Sequence, residues 1–332
     1  MEYRNLGSSG LKVSALSIGT WVTLGDQIGE EAGAACLKAA YEAGVNFFDT
    51  AEVYAAGKAE TMMGAILGNF GWKRSDLVVS TKIFWGGDGP NDNGLSRKHI
   101  IEGTDASLRR LQMDYVDLLF CHRSDRDTPI EETVRAMTHV INQGKAFYWG
   151  TSEWSAEQIR EACGIARREH LIAPTMEQPQ YNMFVRERVE REYAALYRDC
   201  GLGTTIWSPL NSGFLSGKYA KSIPAGSRLA LRNYQWLRKR FEGPEAEAKI
   251  AKVKKLASLA GELGITLPQL AIAWCVKNPH VSTVITGASK PEQVVENMKA
   301  LDAVKHLSGE VMARIDKILA NRPVPEPDFR NM

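Results

Sequence analysis

Val45-Asn46-Phe47-Phe48-Asp49-Thr50-Ala51-Glu52-Val53-Tyr54 is the stretch that decides the fold of this chain. A strand-forming apolar run empties into polar residues, which reads as a buried strand ending in a loop. It delivers a carboxylate and a phenol five positions apart. The pattern recurs twice downstream. Leu77-Val78-Val79-Ser80-Thr81 ends in Lys82, and Val116-Asp117-Leu118-Leu119-Phe120-Cys121 ends in His122. In a parallel βα barrel the C-terminal ends of such strands converge on one face, the face that carries active sites. An acid, a phenol, an ammonium and an imidazole gathered there can protonate a carbonyl oxygen.

Working outward, strands are predicted over Leu16 to Gly19, Asn46 to Asp49, Leu77 to Lys82, Val116 to Cys121, Ala146 to Thr151, Thr175 to Gln178, Thr204 to Ser208 and Val281 to Thr286. Helical periodicity fills the gaps: Ala32 to Ala43, Ala59 to Leu67, Ile100 to Arg110, Ile130 to Gln143, Ala156 to Glu169, Arg188 to Asp199, Ala246 to Leu263 with Leu267 to Asn278, and Glu292 to Ala300. Ser155 with Gln158, and Ser289 with Glu292, read as capping boxes. Eight βα units predict an α/β (β/α)8 TIM barrel, one domain over residues 1–332, rather than an open sheet. An N-terminal β-hairpin, Tyr3 to Leu6 and Leu11 to Val13 around Gly7-Ser8-Ser9-Gly10, precedes the barrel. An extra C-terminal helix, Leu307 to Leu319, follows it, with an extended end from Pro323 to Pro327. The longest insertion, Asn211 to Glu245, falls after the seventh strand, where lids and clamps are built.

Composition narrows the function classes. The 332 residues are 44% hydrophobic and 24% charged, globular values, and the net charge is +2 with both signs interspersed. That is no footprint for nucleic acid or a membrane surface. No apolar run is long enough for a transmembrane segment, and the N-terminus does not resemble a signal peptide. The 5 cysteines are scattered without C-x-x-C spacing, as expected of reduced thiols in a cytoplasmic protein. No His/Cys arrangement supports a metal site.

A free phenol, with a pKa of ~10, is a weak acid at neutral pH. Lys82 would stabilise the phenolate of Tyr54, Asp49 would hold Lys82 charged and oriented, and His122 would bond the reacting oxygen. Each residue alone has a structural explanation. Together at three successive strand ends they point to catalysis.

These four residues resemble the Asp, Tyr, Lys, His tetrad of the aldo-keto reductases. Gly19 to Thr23, Phe48 to Glu60, Thr81 to Gly87 and Gly94 to Gly103 are similar to the branch containing the β subunits of voltage-gated potassium channels and their plant and bacterial relatives. The resemblance runs from about Tyr3 to Arg330. It implies an NADPH-dependent reductase of small aldehydes and ketones, a homo-oligomer of tetrameric form, and a membrane channel as a partner. The alternative it leaves open is a regulatory subunit with bound NADP(H) and slow or no turnover. His122 stands where animal channel subunits carry Asn, which favours the enzyme, as does a start at the barrel's own hairpin, without a pore-blocking extension.

No G-x-G-x-x-G follows a strand, so a Rossmann site is not expected. Gly287 and Ser289 precede a helix on which Gln293 and Glu296 or Asn297 share a face, and a helix N-terminus is a natural phosphate site. The resemblance implies that Ser289 and Gln293 meet the 2′-phosphate of NADP, and Glu296 and Asn297 the adenine. It places Trp207 on the nicotinamide, with Ser152 and Gln178 as carboxamide partners. Ser208, Pro209, Leu210 and Lys218 follow the pyrophosphate, Arg228 lies near the adenosine phosphate, and Thr20, Trp21 and Gln27 join the cofactor set with Asp49. Trp21, Phe84 and Trp85, with Tyr54 and His122, are expected to wall the substrate pocket. Glu153 replaces an Arg of the channel subunits, and Asn211 and Ser212 replace a small residue and a Cys.

Overall fold

In a computed structural model, which describes residues 1–219, 223, 228–230, 235–324 and 329–331, eight parallel strands close into a barrel. The side chains of Arg228, Arg240 and Asn331 lie outside the description. The hairpin strands are β1 (Tyr3–Asn5) and β2 (Lys12–Ser14). The barrel runs β3 (Leu16–Gly19), β4 (Phe47–Asp49), β5 (Val78–Ile83), β6 (Val116–Cys121), β7 (Ala146–Thr151), β8 (Met176–Glu177), β9 (Gly203–Ile206) and β10 (Val281–Thr286), and β10 pairs back onto β3. Helices α1 (Glu30–Glu42), α2 (Lys58–Phe70), α3 (Arg97–Leu111), α4 (Ile130–Asn142) and α5 (Ala156–Arg168) form the crossovers of the first half. The second half adds α6 (Ala194–Asp199), α7 (Gln235–Arg238), α8 (Pro244–Glu262), α9 (Leu267–Lys277), α10 (Pro291–Met298), α11 (Ala300–Ala303) and α12 (Gly309–Leu319).

Strand periodicity explains the site. Phe47, Val78, Leu118, Phe120, Met176 and Ile285 form the cluster inside the barrel, which Leu6 and Val13 of the hairpin plug from below. Their neighbours Phe48, Val79, Leu119 and Cys121 instead join the cluster beneath the helices. Side chains two apart share a face of a strand. Asp49 therefore lies above Phe47, Lys82 above Val78 and Ser80, and His122 above Leu118 and Phe120. The hairpin packs closely enough to require glycine at its turn. Gly7 has φ +57°, and a Cβ there would fall 2.3 Å from the Gly201 carbonyl oxygen.

Two expectations shift. The predicted helix over Arg188 to Asp199 is broken: a π-helical turn, Arg188–Glu192, precedes α6. Ser155 and Gln158 form both halves of their capping box, but Ser289 and Glu292 do not, because Pro291 takes the first helical position and makes Lys290 the cap residue. The amide N–H of Ser289 instead donates to Gln293 Oε1 at 2.9 Å. Among the described residues no single helix is long and apolar enough to cross a membrane, and α8 and α9, which together reach that length, meet at 89°. Pro325 to Asp328 lie outside the described residues.

Candidate active site

The base of the site is a buried ion pair. Lys82 Nζ lies 2.7 Å from Asp49 Oδ2, with side-chain exposures of 0% and 4%. The ammonium also donates to the Thr50 carbonyl at 2.6 Å. Asp49 Oδ1 accepts from Ser80 Oγ at 2.7 Å and from Gln178 Nε2 at 3.0 Å. Each partner thus has hydrogen bonds beyond the pair itself, the condition under which an interior ion pair is tolerable. Burial still pushes the pKa of Lys82 down, opposed by Asp49.

Tyr54 stands over this pair, with its ring centroid 4.9 Å from Lys82 Nζ. It opens a short turn, Tyr54–Gly57, in which Ala55 (φ 50°) and Ala56 (φ 52°) take left-handed conformations. Such conformations cost roughly 1 kcal/mol each, and backbone strain of this kind clusters at functional sites. The Tyr54 hydroxyl forms no hydrogen bond among the described residues. Burial raises its pKa well above the usual phenol value and Asp49 raises it further, while the Arg123 guanidinium lowers it. Lys82, expected to bring the phenol down, donates to Asp49 and Thr50, with its Nζ 4.9 Å from the Tyr54 ring centroid.

His122 meets Tyr54 edge to face at 5.7 Å and Trp85 at 5.0 Å between ring centroids. Burial, then Lys82 and Arg123, hold its pKa well below the ordinary value, so the imidazole is neutral at pH 7. Its Nδ1 is buried without a partner among the described residues. Glu52 links the neighbouring loops: Oε1 accepts from the Phe84 amide at 2.6 Å and lies 3.2 Å from His99 Nε2 on α3. That bond fixes the loop carrying Trp85. Phe84 is not on the cleft; it backs Trp85 at 4.7 Å.

From Tyr54, Trp85 and His122 a cleft of about 490 Å³ runs to the N-terminal end of α10, within the usual range for small-molecule sites. Among the expected cofactor residues, Trp21, Gln27, Asp49, Ser152, Gln178 and Trp207 line it. So do Ser208, Pro209, Leu210 and Lys218, and at the far end Gly287, Ser289, Gln293 and Asn297. Ser152 Oγ donates to the Gln178 carbonyl at 2.9 Å, which ties both to the tetrad through Asp49. Besides Phe84, three expected residues are not on the lining. Thr20 is buried behind it, bonded to Thr50 at 2.9 Å; Lys82 lies beneath it; Glu296 turns away to Gln269 at 2.7 Å and Lys299 at 3.0 Å. Arg228 begins a 3₁₀ turn, but its side chain lies outside the described residues. Ser212 lines the cleft; Asn211 is buried beside it.

Glu153 has a definite place. With φ +60° it accepts from the Gln180 amide at 2.5 Å and Trp207 Nε1 at 3.0 Å, and it pairs with Arg188 at 2.6 Å. It therefore sets the tilt of the Trp207 indole, which meets Trp21 edge to face at 5.9 Å. Sequence reading missed Arg123, Tyr219 and Ile272 on the lining. Arg123 was open to discovery, since it directly follows His122 at a strand end. Ile272, from the interior of α9, carried no such signal.

The cleft offers the Ser289 hydroxyl and the side-chain amides of Gln293 and Asn297 at its far end, the Lys218 ammonium and the Trp207 indole along it, and an amide and hydroxyl beside the tetrad. That donor set fits an elongated phosphate-bearing ligand with a flat polar ring at its inner end.

Residues 15–320 match the family described as Aldo/keto reductase family. Over 331 residues, 99% of this chain and 100% of the relative, the chain is 57% identical to a protein of Oryza sativa subsp. japonica named "Probable voltage-gated potassium channel subunit beta". It is 56% identical, with the same coverage, to a protein of that name from Arabidopsis thaliana.

Proposed function

The chain belongs to the aldo/keto reductase family, and from that premise we propose that it reduces aldehydes and ketones to alcohols with NADPH, Tyr54 giving the proton. One observation carries the reading: a phenol with no hydrogen-bond partner among the described residues stands over a buried Lys82–Asp49 pair, on the same cleft as Ser152, Gln178 and Trp207.

The nucleotide, when bound, supplies hydride. Ser152 and Gln178 orient the carboxamide of its nicotinamide, and Trp207, steered by Glu153, covers the ring. Ser289, Gln293 and Lys218 take the phosphates, and Asn297 the adenine. The carbonyl oxygen accepts a hydrogen bond from Tyr54. Burial keeps the phenol protonated at rest, so the proton is in place. As it leaves, Lys82 and Arg123 stabilise the phenolate, and the neutral imidazole of His122 donates to the same oxygen. Trp21 and Trp85 wall the substrate and exclude water, which strengthens each of these interactions.

A second reading, a channel-associated subunit in which turnover reports redox state, is favoured by the names of the relatives. A cytoplasmic location and a homo-oligomer belong to both readings. A panel of carbonyl compounds assayed by loss of NADPH absorbance, with His122→Asn alongside, separates them. Turnover across the panel that falls in the Asn variant supports the reductase. Stoichiometric nucleotide binding without turnover, with retention on a potassium channel, supports the subunit.

A further inference from the structure

Arg123 lines the cleft beside Tyr54, His122 and Trp85, and its cation meets no carboxylate among the described residues. Its Nη1 donates to the His122 carbonyl at 2.5 Å and to Ser152 Oγ at 3.3 Å, and its Cζ lies 5.6 Å from the Trp85 ring centroid. Those contacts hold the guanidinium at a fixed place at the mouth of the substrate pocket. Nε and Nη2 make no hydrogen bond among the described residues. The other cations of the inner site are spoken for, since Lys82 is sealed beneath the floor by Asp49. A structural clip between two strand ends needs only Nη1, and a neutral donor would serve. An uncompensated guanidinium with two free donors suits instead a planar anion, which it grips with paired hydrogen bonds.

We propose that Arg123 makes this cleft select carbonyl compounds that carry a carboxylate, small keto acids and semialdehydes, by receiving that carboxylate on its Nε–Nη2 edge. The aromatic walls take the spacer between the two groups, and the carbonyl reaches Tyr54. The same fixed cation lies close enough to ease ionisation of the Tyr54 phenol. A bound carboxylate would partly cancel that help, so selection acts mainly on capture of the substrate. The inference rests on the reductase reading for turnover, but not for binding.

The test compares each acid with its methyl ester, which removes the charge and adds a methyl group that the Arg123 variants control for: 4-formylbenzoate and 4-oxobutanoate, each against its ester. A charge-assisted hydrogen bond corresponds to about ten- to a hundredfold, so wild-type kcat/KM is expected to favour the acid by about tenfold or more. In Arg123→Gln the ratio should fall toward one, in Arg123→Lys part of it should survive, and in Arg123→Glu it should invert. Binding is read separately, by quenching of tryptophan fluorescence with 4-(hydroxymethyl)benzoate and its methyl ester, where the same preference and the same loss in Arg123→Gln are expected. Acid and ester treated alike by the wild type, or a preference that survives in Arg123→Gln, would overturn the proposal. Turnover of both compounds without preference sinks only the anion site. Selective binding of the acid without turnover sinks only the reductase reading and supports the anion site.

Discussion

Replacing Lys82 by Met keeps the length of the side chain and removes its charge. Asp49 then stays in the barrel interior with only Ser80 and Gln178 as donors, at 2.7 and 3.0 Å. With exposures of 0% and 4% across the pair, water cannot replace the lost ammonium without disrupting the strand ends. Breaking a buried pair from one side costs about 3–5 kcal/mol. The surviving hydrogen bonds place Lys82→Met at the lower end, roughly 3 kcal/mol. The double variant Asp49→Asn, Lys82→Met removes both charges and keeps the amide within reach of Ser80. It should recover most of that loss, to within about 1 kcal/mol of wild type, because neither ion need be desolvated. Activity should behave differently. The phenolate of Tyr54 has lost one of its two nearby cations in both variants, with only Arg123 left, so carbonyl reduction should fall on the order of 10²-fold or more in each. Urea unfolding gives the stabilities and NADPH consumption the rates. A single variant within 1 kcal/mol of wild type, or a double variant no more stable than the single one, would refute the electrostatic reasoning. A double variant that regains turnover would show that Lys82 acts only through stability.

Glu177 is buried and accepts from Thr151 Oγ1 at 2.5 Å, and burial pushes its pKa from 4.5 up to about 8. The folded state then binds the extra proton between those values, so this group's stabilisation is complete below pH 4.5 and is lost as pH rises through 8. Glu177→Gln should therefore gain roughly 1–4 kcal/mol relative to wild type between pH 5 and pH 8, read from urea midpoints at both pH values; a constant difference would mean that the carboxylate is ionised in the fold. Glu153→Ala should free the Trp207 indole and weaken NADPH binding by about three- to tenfold, less than a full charged hydrogen bond because Glu153 orients the indole and does not itself touch the nucleotide, with the change seen in tryptophan fluorescence. Unaltered affinity and emission would mean that Trp207 is held by packing alone.

Much of the barrel was legible because a strand alternates its side chains. The pairs 47 and 49, 78 and 82, 118 and 122 each set an ionisable group above an apolar one on the same face, and the structure keeps that order. Elements whose form depends on distant packing were less readable. The crossover before β9 is shortened by a π-helical turn, and the phosphate-end helix starts at Pro291 rather than at a serine cap. The left-handed Ala55 and Ala56 carry no residue-type signal, since alanine seldom takes that conformation. Nor does sequence reveal that Lys82 lies near the Tyr54 ring while its donors go to Asp49 and Thr50, which is a matter of side-chain geometry rather than of residue choice.

The most direct test of the proposed chemistry is a single-turnover reaction of Tyr54→Phe preloaded with NADPH. The change deletes one oxygen that has no hydrogen-bond partner among the described residues, so the fold should be undisturbed, and nucleotide affinity by tryptophan quenching should match wild type within about twofold. Mixed with an aldehyde that the wild type reduces, the loaded variant should oxidise its NADPH at least on the order of 10²-fold more slowly. A Phe variant that binds NADPH normally and reduces the aldehyde at the wild-type rate would contradict Tyr54 as the acid.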